Sequence, residues 1–309
     1  MSSRQKGVML AVATAVISGF AIFINGYGVV AWKDVGVTPS TYTTFKNLIA
    51  AFVLIVIGLV ATSRRSKEGF TKPSSTRQWI GLGLVAIVGG SVAFALFFEG
   101  LARASSGQAA FIHKTLVIWV GILAVGILRE KVKPLHFVAV ALLVLGQFVL
   151  VGGIGDVTFG TGEMMMFGAT LLWSVEIIIA KRLLGSMSSI TVGVARMAGG
   201  VVLLLAWGIA SGGFEVLGAL GATQIGWVLI TGTVLAAYVG TWYAALKRAP
   251  AIDVTAVLVG GAVLTAVLKY AVRGIALPST LGLALVTVGF AAAVAAALMR
   301  TDSEAVPAK

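Results

Sequence analysis

The chain has 309 residues, 59% hydrophobic and only 11% charged, with a mean hydropathy of +1.03. No soluble domain of this length needs that much apolar surface, so lipid is the solvent for most of the chain, and ten spans of roughly 20 residues would leave no room for a separate soluble domain. A net charge of +12 would suggest nucleic acid in a soluble protein, but its distribution has a simpler account, and no nucleic-acid partner is expected.

In chain order, ten apolar segments run over approximately 7–31, 40–62, 79–102, 107–128, 134–153, 161–183, 189–211, 224–246, 253–272 and 279–299. The fold class expected is an all-α integral membrane protein. The first segment is too long for the apolar region of a signal peptide and carries Asn25 within the run NGYG, so a retained helix is expected. Prolines sit at or just before helix starts at Pro39, Pro134, Pro250 and Pro278, where the first amide needs no intrahelical acceptor.

The ten segments divide into two matching sets of five. Residues 100–105 read GLARAS, and 145 residues later 245–250 read ALKRAP. Each follows an aromatic pair, Phe97–Phe98 in one copy and Trp242–Tyr243 in the other. An offset of 155 aligns the first segments and sets Ser18–Gly19 opposite Trp173–Ser174; an offset of 150 aligns the second and sets Lys46 opposite Arg196. The units expected are 1–155 and 156–309. An odd number of spans per copy would insert the second in the opposite orientation, and inverted repeats mark secondary transporters with a site between the halves.

Charge sets the expected orientation. With the N-terminus inside, sixteen of the 23 basic residues fall on one side, from Arg4 and Lys6 through Arg64, Arg65, Arg129, Lys131 and Lys133 to Arg300 and Lys309. Only Lys33, Arg103 and Arg273 fall in loops or ends on the other side, and four lie within spans. The positive-inside rule then places both termini in the cytoplasm, with a bacterial inner membrane as the expected location and basic loops touching anionic lipid.

Cysteine is absent, and the two histidines, His113 and His136, cannot build a metal site by themselves. Glycines recur inside apolar helices rather than in a strand–turn–helix context, which fits close helix packing and not a phosphate cradle. No cofactor, metal or catalytic group is expected.

Ionisable residues inside lipid are expensive and are therefore candidates for function. Lys46 lies about two turns below the outer end of the second segment, with His113 and Lys114 at a similar depth on the fourth. Glu99 lies near the outer end of the third, where a pairing with Arg103 one turn on competes with a cavity role. Glu176, Arg196, Tyr238 and Trp242 lie in the inner half, the last two sharing a helix face. Lys46 and Arg196 alone would read equally well as snorkelling cations, but their matched positions suggest that the fold wants a cation there. His113 and Lys114 are adjacent and point about 100° apart. Trp173 and Tyr238 sit well inside their spans, where an indole or phenol needs a partner. The expected cavity set is Tyr42, Lys46, Glu99, His113, Lys114, Trp173, Glu176, Arg196, Tyr238 and Trp242.

This order of features resembles the drug/metabolite transporter superfamily in its EamA-type branch. The stretch ILREKVKPLHFVAVALLVLGQFVLVGG is similar to that family's fourth helix, Glu-containing loop and fifth helix. The polar run FIHKT looks most like the YddG-type exporters of aromatic amino acids. The family's loop acid stands here as Glu130, while the matching VRGIALP of the second half has none, which implies a structural role through Arg129, Lys131 or a helix end. The resemblance implies export of amino acids and related small metabolites by alternating access, with Lys46, Lys114 and Arg196 meeting a carboxylate and Glu99 or Glu176 an ammonium. Glycines such as Gly19, Gly26 and Gly240 would hinge it, and the apolar fifth and tenth helices suit scaffold contacts in a monomer or homodimer. Exchange of phosphorylated metabolites is the alternative; a lipid-linked enzyme and a channel lack the acid–histidine constellation and the filter loop they would need.

Overall fold

The computed structural model describes residues 1–104, 106–153, 160–215, 217–277 and 279–299; Ser105, Pro278, Arg300 and Lys309 lie outside the described residues. Among the described residues nine helices are long and apolar enough to cross a membrane. In chain order these are α1 (Ser3–Lys33), α2 (Pro39–Ser63), α3 (Thr76–Leu101), α4 (Phe111–Leu128), α6 (Thr161–Leu183), α7 (Ser189–Ala210), α8 (Ala222–Arg248), α9 (Ala251–Arg273) and α10 (Thr280–Leu298); α5 (Pro134–Leu150) is a shorter apolar helix of 17 residues. At about 1.5 Å per residue α5 covers about 25 Å, less than the hydrocarbon thickness, so its ends rely on neighbours and flanking polar groups.

Helix starts follow local chemistry. Thr38 and Ser188 stand 150 residues apart and cap α2 and α7 with the same backbone geometry, φ −72° and ψ 151°. Each hydroxyl accepts the amide three residues on and contacts a second hydroxyl, Thr38 with Thr41 at 3.0 Å and Ser188 with Thr191 at 2.8 Å. The ends match too. Phe70 folds over Gly58 and Phe214 over Gly208, each ring filling the space that a Cβ would need. Between these caps Lys46 and Arg196 fall about two turns into their helices, so the repeated cap sets the depth of both cations.

Packing runs largely between the halves. α1 packs on α8 and α6 on α3; α2 packs on α8 and α7 on α3; α1 packs on α9 and α6 on α4. α5 and α10 pair along their length to one side, with Gly146 against Val286 and Gly289 against Leu143. Small residues let these backbones approach closely, which replaces the hydrophobic drive that lipid removes. Gly19 is such a contact: a Cβ there would lie 2.5 Å from the carbonyl oxygen of Gly261 on α9.

Four helices are irregular. α3 carries a π segment at Val85–Val92 and α7 another at Ala195–Gly199, and the two π segments touch. Gly90 and Gly200 meet there, backbone on backbone, with no space for a Cβ on either. The helix entering α4 is interrupted at Thr115, and α9 is interrupted at Gly260. π turns of this kind cluster at functional sites.

Contacts define the two ends of the bundle. At one, Arg4 donates to the carbonyl of Leu298, Gly7 lies against Arg248 and Ala249, and Arg182 donates to the carbonyl of Ile127. At the other, the Trp32 indole donates to the carbonyl of Gln224, Thr41 donates to the carbonyl of Gly213, and Gly162 lies against Ala104. These are the Arg4 end and the Trp32 end below.

A cavity between the halves

A cavity of about 480 Å³ lies in the middle of the bundle, bounded by residues of α1, α2, α3, α4, α6, α7, α8 and α9. Its size is ordinary for a small-molecule site. Tyr42, Lys46, His113, Trp173, Glu176, Arg196, Tyr238 and Trp242 all line it. Glu99 lines an adjoining vestibule of about 310 Å³ toward the Trp32 end, and Thr43, Phe94 and Phe98 border both spaces. Lys114 is half-buried and borders neither.

The charged groups are held in different ways. Glu176 on α6 accepts a hydrogen bond of 2.5 Å from the hydroxyl of Tyr243 on α8. Arg196 on α7 makes no side-chain hydrogen bond or ion pair among the described residues; its guanidinium lies 5.5 Å from the centroid of the Phe94 ring. Lys46 on α2 donates to Asn25 at 3.3 Å and lies 5.8 Å from the Tyr42 ring centroid, with no ion pair to a carboxylate among the described residues. Two buried cations and the one Glu176 carboxylate, whose charge acts on Arg196, therefore face one space, and an anion entering the cavity would offset the cost of burying the excess positive charge.

Glycines of the α3 π segment seat two of these groups. A Cβ on Gly89 would overlap the side chain of Glu176, and one on Gly90 would overlap the carbonyl of Arg196. A matching contact exists on α8, where a Cβ on Gly232 would lie 2.9 Å from the carbonyl of Lys46. Each cation-bearing backbone is thus docked onto a glycine of a helix from the other half.

Aromatic side chains form the walls. The His113 ring sits 5.1 Å from both Phe97 and Trp173, and its Nδ1 is buried without a hydrogen-bond partner among the described residues. The Trp173 indole donates to the carbonyl of Gly89 at 3.0 Å. Tyr238 and Trp242 stack at 6.2 Å with rings 9° from parallel, as their spacing of four on α8 predicts. Tyr42 is fully buried and shares a hydrogen bond of 2.7 Å with Thr231. Sequence reasoning did not single out Phe94, Phe97, Phe98, Asn25 or Thr43 as lining residues, nor Tyr243 as the partner of Glu176. The aromatic pair before GLARAS was a usable signal, since Phe94 and Phe98 are four apart on one helix face.

Glu99 is bound at the vestibule. Arg103 one turn on donates to its carboxylate at 2.5 Å, both side chains being partly exposed, and Ser40 lies 3.5 Å away. Such an exposed pair contributes little to stability.

The Arg4 end is closed by polar groups set on helix ends. Glu130, in the loop after α4, accepts from the backbone amides of Ala251 at 2.7 Å and Ile252 at 3.2 Å and so caps α9. Lys181 donates to the carbonyls of Leu246 at 2.5 Å and Ala249 at 2.7 Å, where α8 ends. Of the three routes expected for Glu130, the contact present is the one to a helix end. His136 on α5 meets Asp253 on α9 at 2.9 Å, both buried. Burial pushes the Glu130 carboxyl above the usual carboxylate range; its two amide donors and nearby Lys181 oppose this, while Asp253 adds to it. No group of three or more metal-ligating side chains occurs among the described residues.

The family model described as "EamA-like transporter family" matches this sequence twice, over residues 5–152 and 160–296. No curated protein matches it. A solved structure titled only "Crystal structure of protein" superposes with a TM-score of 0.71 at 19% identity, covering 95% of this chain and 98% of that one, a likeness of fold alone.

Proposed function

This chain belongs to the EamA-like transporter family, and on that premise we propose that it is a secondary transporter exporting amino acids, aromatic ones favoured, and related small metabolites. The family and the apolar helices make it a multi-pass membrane protein that moves small molecules rather than an enzyme. The observation that carries the substrate reading is one cavity with two cations to one carboxylate, and aromatic walls. Lys46 and Arg196 would take the substrate carboxylate, Glu176 its ammonium, and Trp173, Tyr238 and Trp242 its side chain. Such a composition also fits the YddG-type exporters that the sequence resembles.

The architecture proposed is ten spans in two inverted units, 1–155 and 156–309. The mirrored pairings of α1 with α8 and α6 with α3, and the Thr38 and Ser188 caps, support it. α1 begins at the Arg4 end and α6 at the Trp32 end, as an inverted pair would. Both termini would face the cytoplasm of a bacterial inner membrane, where the basic loops of the Arg4 end belong. Alternating access would part that end while closing the vestibule.

A second reading, exchange of phosphorylated metabolites, is favoured by one feature: two cations on one cavity suit a phosphate as well as a carboxylate. Proteoliposomes loaded with labelled tryptophan, phenylalanine, threonine and a sugar phosphate separate the two. Tryptophan and phenylalanine efflux is expected; flux of the sugar phosphate alone would sink the amino-acid reading. Flux that does not vary with pH would exclude Glu176 and His113 as coupling groups.

A further inference from the structure

An apolar groove of about 450 Å³ runs between α4 and α5 on the outside of the bundle, away from the central cavity. Val117, Gly121, Val125, Gly126, Val132 and Phe137 line it, with His136 and Ile252 at its floor. The groove exists because two α4 glycines leave it open: a Cβ on Gly126 would meet nothing within 4 Å, and one on Gly121 only Ile252. Its length along α4, from Val117 to Gly126, is about 14 Å at the helical rise.

The mouth of the groove is basic. The loop that joins α4 to α5 carries Arg129, Lys131 and Lys133, and Arg182 reaches the carbonyl of Ile127 beside it. Arg129 takes a left-handed backbone conformation, φ 56°, uncommon for a residue other than glycine. Arg129 and Lys131 are exposed and make no side-chain hydrogen bond or ion pair among the described residues. Glu130 between them turns inward to cap α9, so the loop presents its cations outward and its acid inward.

We propose that this groove is a binding site for one anionic glycerophospholipid, with an acyl chain along α4 and the headgroup phosphate on Arg129 and Lys131. An apolar slot opening at a cationic loop has the two chemistries of such a lipid in the right order. A second copy of this chain is a poorer occupant, because a two-fold contact here would bring both sets of cations together. The inference is independent of which substrate the cavity carries.

The test uses the full chain in nanodiscs of equal parts phosphatidylcholine and phosphatidylglycerol, with native mass spectrometry of the released protein. Retention of phosphatidylglycerol over phosphatidylcholine is expected. R129Q/K131Q should reduce it about thirtyfold, in line with about 1 kcal/mol for each of the two basic residues at an anionic surface. Gly126→Phe should reduce it as much by filling the slot, with the melting temperature unchanged. R64Q/R65Q, an exposed basic pair with no groove, should leave it intact, and free glycerol phosphate should not compete. Equal losses from R129Q/K131Q and R64Q/R65Q, undiminished retention in Gly126→Phe, competition by glycerol phosphate, or a dimer abolished by Gly126→Phe would each overturn the proposal.

Discussion

Tyr243 donates to Glu176 at 2.5 Å, and the two side chains are 0% and 1% exposed. A phenol from α8 thus stabilises a carboxylate from α6 at the wall of the cavity. Removing one partner strands the other, whereas Gln at 176 keeps an acceptor for the phenol. Tyr243→Phe should therefore cost about 1–3 kcal/mol in unfolding measured in detergent. Glu176→Gln should cost less. The double variant should lose less than the sum of the singles, the sign of direct coupling.

Gly90 and Arg196 give a second prediction. A methyl group on Gly90 would overlap the Arg196 carbonyl, and both backbones are held by their π segments. Gly90→Ala should destabilise the protein by about 3 kcal/mol through overpacking. Gly83→Ala, about two turns earlier on the same helix α3, meets nothing within 4 Å and should gain about 0.5–1 kcal/mol. Thermal midpoints of the two variants moving the same way would contradict this account.

Binding to the proposed cavity should depend on Arg196 through charge. Arg196→Gln should weaken binding of an aromatic amino acid at least tenfold, since a hydrogen bond to a charged group contributes about 1.5–3 kcal/mol. The corresponding decarboxylated amine should bind the native protein and the variant alike. Titration calorimetry with the two ligands distinguishes a carboxylate contact from general damage to the site.

Glu130 makes a pH prediction. Burial raises its carboxyl pKa in the folded protein, so the protonated form is favoured there relative to the unfolded chain. Its contribution is then complete below the ordinary carboxylate value of about 4.3 and falls as pH rises through the raised value. Melting temperatures of the native protein minus those of Glu130→Gln should decline across that window and level off above it. Glu130→Ala should cost about 1–2 kcal/mol below that window, because two α9 amides lose their cap, and less above it.

Hydropathy and the repeat made the helices and the matched cations legible in the sequence, because lipid imposes long apolar runs and a repeat fixes equivalent positions. Lys46 and Arg196 do line one space. Helix rotation was not legible. Lys114 follows His113 directly, yet the ring of His113 packs on Trp173 while Lys114 stays off the cavity. Glu99 directly follows the lining residue Phe98, but reaches the vestibule and Arg103 instead. Tyr243 shows a further limit. It neighbours Trp242 in sequence but turns to Glu176, a choice that depends on where the bundle places α8 and α6 and not on any local pattern. The π segments were likewise invisible, since GLVAIVGGSV and ARMAG read as ordinary apolar helix.

The Arg4 end is fastened by contacts between side chains and bare helix ends: Glu130 on two amides, Lys181 on two carbonyls, Arg4 on Leu298 and Lys133 on Met299. Parting these helix ends would expose the amides and carbonyls that the side chains now cover, and water would have to take their place. Under the proposed alternating access, opening would therefore be a hydration event as much as a mechanical one, with its equilibrium tied to water activity. Solutes excluded from protein surfaces, such as sucrose, would hold this end shut without touching the site at all.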